Sequence, residues 1–147
     1  MGKIVLYLAM SVDGYIADEQ GGVGWLGGDG SEPDAPGSYP AFYETVDTIV
    51  MGWTTYRQIV TELSPDSWPL SLIHISEPTR QIWICGGASV AGQLLKEGRI
   101  DKLWLSVIPT VLGKGVRLYP ELGPELPLKL VGTEHYNGIV DLVYEKR

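Results

Sequence analysis

The chain has 147 residues, 44% of them hydrophobic and 20% charged, which suits one soluble domain built on a single core. Its 18 acidic residues outnumber 11 Lys and Arg, giving a net charge of −7 whose field disfavours a nucleic-acid or anionic-membrane surface. One cysteine and two histidines exclude a disulfide framework and a metal centre rich in either residue, and no apolar run approaches bilayer-spanning length.

Met1-Gly2-Lys3 runs straight into a strand-like segment without the pattern of a secretory leader, so a cytoplasmic location is expected. Ile4–Ala9 (IVLYLA) is an unbroken apolar run, the mark of a strand covered on both faces. Asp13-Gly14 signals a turn, from which Tyr15 and Ile16 return the chain toward the sheet. Asp13 falls just beyond the carboxyl end of a central strand, where open α/β sheets bind ligands. The alternative role for its carboxylate is to tie the turn through backbone N–H groups. Residues 21–37 are rich in glycine and proline, with Trp25 and Leu26 as the only large apolar pair. This predicts a mobile lid-like loop with an aromatic anchor. No strand leads into it and no Lys-Ser/Thr pair follows its last glycine, so it is not a phosphate loop.

Tyr39–Val46 reads as a short helix with Pro40 in its first turn, closed by Asp47, and Thr48–Met51 as a short buried strand. After Gly52, the residues Tyr56, Ile59, Val60 and Leu63 recur at helical spacing, with Thr54 or Thr55 as the N-cap. Ile82–Cys85 is again a buried strand, with Cys85 a small hydrophobe at its end. Gly86-Gly87 follow, and then a helical stripe of Ala88, Ala91 and Leu95 with Val90 and Leu94 beside it; Lys96 stands in the last turn and Gly98 at the stop. Strand, glycine, helix is the geometry that aims the unpaired N–H groups of a first helical turn at an anion. A lone Gly-Gly also serves as an ordinary tight turn. Two such junctions in one small chain weaken coincidence, and together they suit the two phosphate-bearing ends of a dinucleotide.

Lys102–Pro109 is a further apolar strand, Leu112–Gly115 a turn, and Arg117–Pro127 a proline-broken connection. Leu128–Tyr136 and Ile139–Lys146 flank Asn137-Gly138, a strong hairpin signal, with His135 expected on the surface. In the last strand Val140, Leu142 and Tyr144 alternate with Asp141 and Glu145, which predicts a wet face on the acidic side. The order predicts an α/β, three-layer αβα fold with a mostly parallel sheet and a C-terminal antiparallel hairpin, as a single domain over 1–147.

The segments LYLAMSVDGYIA, TIVMGWTTY, IWICGGASVAGQLL and KLWLSVIPTVLGKGVRLY together resemble the dihydrofolate-reductase-like domain, in the branch of the C-terminal reductase domain of bacterial riboflavin biosynthesis. The likeness covers nearly the whole chain except its middle. It implies an oxidoreductase that binds NADPH across the carboxyl ends of the parallel strands and transfers hydride to a small pterin- or pyrimidine-like substrate. By position it implies Gly86, Gly87, Ala88, Ser89 and Val90 on the cofactor's pyrophosphate side. Gly52, Trp53, Thr54 and Thr55 fall on the adenosine-phosphate side, and Ala9 also belongs to the cofactor set. Asp13, Gly14 and Tyr15 lie by the nicotinamide and substrate, which makes Asp13 and Tyr15 the candidate catalytic side chains; no metal is implied. Trp53 stands where the family usually carries Arg. A charge-assisted contact to phosphate is worth about 1.5–3 kcal/mol, so NADH is an alternative cofactor unless Arg57 or Arg80 substitutes, and Trp53 is a candidate for stacking on adenine. Dihydrofolate reductases proper also place an acid on the first helix, where Glu44 is the only carboxylate here. Two alternatives stay open: a non-catalytic nucleotide- or ligand-binding module, dimerising through its terminal strands as a homodimer, and a non-functional chimera of the reductase.

Leu70–Arg80 (LSLIHISEPTR) looks like the in-frame translation of a transposon adaptor used in sequencing libraries. It stands where the family carries a further strand and helix, a βα unit of roughly 30 residues with its loops. The fold is then expected to lack one central βα unit, and His74 to have no selected role; the alternative is a natural short loop. A lost helix leaves apolar sheet surface uncovered, which predicts poor solubility or compensating association.

Overall fold

The computed structural model describes residues 3–59, 61, 81–86, 88–119 and 125–147; the expectations placed on Val60, Leu63, Leu70–Arg80 and Gly87 lie outside them. Its elements are β1 (Ile4–Ser11), β2 (Tyr15–Ala17), α1 (Tyr39–Tyr43), β3 (Val46–Met51), α2 (Trp53–Gln58), β4 (Gln81–Gly86), α3 (Ala88–Lys96), β5 (Lys102–Ile108), β6 (Val116–Arg117), β7 (Leu128–Tyr136) and β8 (Ile139–Lys146). Six strands form one sheet in the order β3-β4-β1-β5-β8-β7. The first four run parallel, and β8 and β7 return antiparallel as the expected hairpin. Asn137 (φ 50°) and Gly138 (φ 78°) are both left-handed, as the two central residues of a type I′ turn require.

Alternation along β1 divides the core in two. Leu6, with Ile84, Leu103 and Leu105, packs against Ala91 and Leu95 of α3 on one face of the sheet. Val5 and Tyr7, with Trp83, pack against Phe42 of α1 on the other. Both faces of β1 are covered, most fully at Val5, Leu6 and Tyr7, which is why Ile4–Ala9 is continuously apolar. Each fully buried Leu or Val contributes about 1.5–3 kcal/mol relative to exposure. Ala91 and Leu95 of the predicted α3 stripe are buried, with Val90 and Leu94 packed beside them, and the helix stops at Gly98, whose φ of +68° only glycine adopts freely. Gly98 N–H donates to Leu95 C=O and Arg99 N–H to Leu94 C=O, each at 3.0 Å, closing the last carbonyls.

Four expectations are corrected. α1 ends at Tyr43 and β3 begins at Val46, because Val46 pairs with Gln81 and is buried, while Thr45 Oγ1 donates to Phe42 C=O at 2.6 Å and closes the helix early. Neither Thr54 nor Thr55 is the N-cap of α2: Gly52 C=O already accepts from Tyr56 N–H at 3.1 Å, so both threonines lie inside the helix. Tyr15 and Ile16 do not rejoin the main sheet; β2 pairs antiparallel with β6, which local pattern had assigned to turn and connection. The acidic face of β8 is not wet throughout: Glu145 is half-buried, but Asp141 is 0% exposed whereas Val140 on the opposite face is 41% exposed.

Candidate functional site

Parallel pairing brings the carboxyl ends of β3, β4, β1 and β5 to one rim. Met51 pairs with Gly86, so Gly52 leaves β3 beside the end of β4 and the two glycine junctions are immediate neighbours. The end of β1 comes next, carrying the turn with Asp13, and Ala9 sits half-buried inside β1 opposite Ser106 of β5. Ala88 opens α3, Ser89 is exposed, and Val90 leans on the core beneath α3. Thus the described members of the predicted cofactor set lie on adjacent elements, although Val90 spends its side chain on packing.

Trp53 is 72% exposed at the start of α2, its ring stacked on Tyr56 with centroids 5.7 Å apart and planes at 29°. Tryptophan is rarely this open. The pair presents a flat apolar surface at the rim, and Arg57, also exposed, follows in the same helix. Burial pushes the Cys85 thiol up to about 11, so it remains a protonated thiol packed against the α1-side core.

Asp13 is occupied by its own turn. Its carboxylate accepts from Ser11 Oγ at 2.6 Å, from Gly113 N–H at 2.8 Å and from Leu112 N–H at 3.1 Å. The Ser11 hydroxyl and these amides hold the carboxyl below its ordinary value. Such a group is ill suited to releasing a proton near neutrality. Ser11 Oγ in turn accepts from Tyr15 N–H at 2.9 Å, and the largely buried Tyr15 ring lies 5.1 Å beneath the Arg117 guanidinium. Asp13 and Tyr15 lie at the rim, and the partners they display there are those of the turn. Glu44 is exposed at the end of α1.

The glycine-rich segment is tied down rather than loose. Gln58 Nε2 of α2 donates to Gly21 C=O at 2.9 Å, and Trp25, half-buried, donates from Nε1 to Gly22 C=O at 3.2 Å. Asp29 N–H donates to Asn137 C=O at 2.9 Å and Glu32 N–H to Asn137 Oδ1 at 3.0 Å, so the segment reaches the β7–β8 turn. Beside it lies a polar cluster that sequence reasoning missed: Tyr7, Ser38, Ser106, Tyr136 and Asp141. A signal existed, because Ser106 is the one polar residue inside the apolar run of a central strand. Among the described residues no group of His, Cys, Asp and Glu could hold a metal, and no helix is long and apolar enough to cross a membrane.

The family model described as RibD C-terminal domain matches residues 75–141. The protein YwjB of Bacillus subtilis (strain 168) is 36% identical over an alignment of 170 positions that covers 97% of this chain and 97% of that protein. That alignment is longer than the 147 residues present here, so the relative carries residues without a counterpart in this chain. A Shewanella sp. PV-4 protein assigned to riboflavin biosynthesis superposes with a TM-score of 0.78 at 26% identity, over 100% of this chain and 99% of that one. A pyrimidine reductase-like protein of Corynebacterium diphtheriae shares the fold, with a TM-score of 0.71 at 16% identity over 99% of this chain and 92% of that one.

Proposed function

The chain belongs to the RibD C-terminal domain family, and from that premise we propose that it is an NAD(P)H-dependent reductase acting on a small pterin- or pyrimidine-like heteroaromatic ring. The observation that carries the reading is the pairing of Met51 with Gly86, which sets two strand–glycine–helix junctions side by side on one rim. The residues fit a dinucleotide. Gly52 and Gly86 offer backbone without side chains at adjacent strand ends, and the open Trp53–Tyr56 pair offers a stacking surface for a purine. Gly52, Trp53, Thr54 and Thr55 would hold the adenosine side and Gly86 to Val90 the pyrophosphate side. Ala9 would border the nicotinamide, with Asp13 shaping the turn beside it. A bound reduced nicotinamide would supply the hydride; the chain's part is to bind, orient and exclude water. NADPH is the family's cofactor, and Trp53 in place of the usual Arg supports acceptance of NADH.

Titration of both cofactors by nicotinamide fluorescence tests this, followed by turnover over a panel of pterins and aminopyrimidines. At least one cofactor is expected to bind with a Kd below about 1 mM, the upper end of ordinary enzyme sites; binding of neither overturns the reading. Binding without turnover on any ring substrate would instead favour the non-catalytic module. One observation favours a further reading, the non-functional chimera: the 170-position alignment exceeds this chain's length, as a βα unit lost at 70–80 requires.

A further inference from the structure

Asp141 is fully buried, and the side-chain donors that reach it are neutral: Ser106 Oγ at 2.7 Å and the Tyr136 hydroxyl at 3.0 Å on Oδ1, and Trp104 Nε1 at 3.1 Å on Oδ2. A carboxylate is costly to place there, and apolar residues commonly fill such positions as well or better. What the acid holds is therefore informative. Of the three donors, Tyr136 also bonds away from the sheet. With its proton given to Asp141, its oxygen accepts from Ser38 Oγ at 3.2 Å, and Ser38 Oγ accepts from the Tyr7 hydroxyl at 2.8 Å. Donation runs one way, Tyr7 to Ser38 to Tyr136 to Asp141, and ends on the acid.

Ser38 is itself buried and closes the glycine-rich segment where it enters α1. Its neighbour Gly37 has a φ of +70° and lies so close to the Tyr136 ring that a Cβ would stand 2.9 Å from it. The segment's other ties, to Gln58 of α2 and to Asn137 of the hairpin turn, lead it from the Gly52 side of the rim to the β7–β8 side. We propose that Asp141 is a positioning residue: through Tyr136 it fixes Ser38, and so holds residues 18–38 as a strap along the rim. Its use in covering a dinucleotide and its substrate rests on the function proposed above; the anchoring itself does not.

Amide hydrogen exchange over residues 21–37 tests the anchoring, in the full chain and in Tyr136→Phe, Ser38→Ala and Trp104→Phe. The first two cut the chain of donation; the third removes a donor from Asp141 without touching Ser38 or Tyr136. Tyr136→Phe and Ser38→Ala are expected to speed exchange in the strap about fivefold, the population change from one lost hydrogen bond. Trp104→Phe is expected to lower the thermal midpoint and leave strap exchange as in the parent. Strap exchange that follows the midpoint across all three variants, or that changes in none, overturns the proposal. Where Tyr136→Phe does not fold, Ser38→Ala against Trp104→Phe decides alone. Cofactor affinity measured on the same variants separates the two claims. Faster exchange with unchanged NADPH binding keeps the anchor and removes its role at the rim, and no NADPH binding to the parent removes the functional reading but not the anchor.

Discussion

The three hydrogen bonds on Asp13 give its titration a sign. Ser11 and the amides of residues 112 and 113 depress the folded carboxyl below its unfolded value. The stability it contributes is therefore present above the unfolded value and lost as pH falls through the folded one. Asp13→Asn is expected to flatten the fall in urea midpoint below about pH 4; an acid limb identical to the parent's would show that these bonds carry no stability. Trp53 is the other residue whose replacement is diagnostic. Trp53→Arg is expected to tighten NADPH about tenfold or more, the worth of a charge-assisted phosphate contact, while leaving NADH at or below its parental affinity. Equal changes for both cofactors would place the adenosine phosphate elsewhere. Asp13 and Trp53 were both legible in the sequence, one from its place after a central strand, the other from a family pattern it breaks. Asp141 was not, because period-two alternation says which residues share a face and not what covers that face.

Among the elements, the strap shows how a loop without regular structure becomes specific. Its glycines serve different needs, and Gly37 combines a left-handed φ with close approach to Tyr136. Gly37→Ala is expected to destabilise by about 1–3 kcal/mol, from backbone strain together with displacement of that ring. Urea unfolding measures it, and a loss no larger than that of an ordinary exposed substitution would mean the ring moves freely. Central strands and α3 were read nearly to the residue, since burial on both faces and a 3.6-residue stripe are local signals. The β2–β6 ribbon was not: Tyr15 pairs with Arg117, and neither segment announces so distant a partner.

For the whole molecule, burial raises the phenols of Tyr7 and Tyr39 to about 12. Both then favour the folded state below the unfolded tyrosine value near pH 10, and that stability drains away between about 10 and 12. A steep fall of the urea midpoint over this range is expected, shallower in Tyr7→Phe. The segment 70–80 makes a second expectation at this scale. β3 ends the sheet among the described residues, and Val50 upon it is 38% exposed. Replacing Leu70–Arg80 with the intervening stretch of the Bacillus subtilis relative is expected to raise the thermal midpoint and solubility, as covering an apolar edge should; no gain would favour a natural short loop. By itself the sequence determined the class of fold, the central strands, the helix that follows Gly86-Gly87 and the closing hairpin, because each is written in local periodicity and turn chemistry. Only the tertiary structure decided that Gly52 and Gly86 are neighbours, that the glycine-rich segment is clasped at Gln58, Asn137 and Ser38, and that Asp141 lies inside. Strand order and the cover over each face arise from contacts between residues about a hundred positions apart and more, which no local pattern encodes.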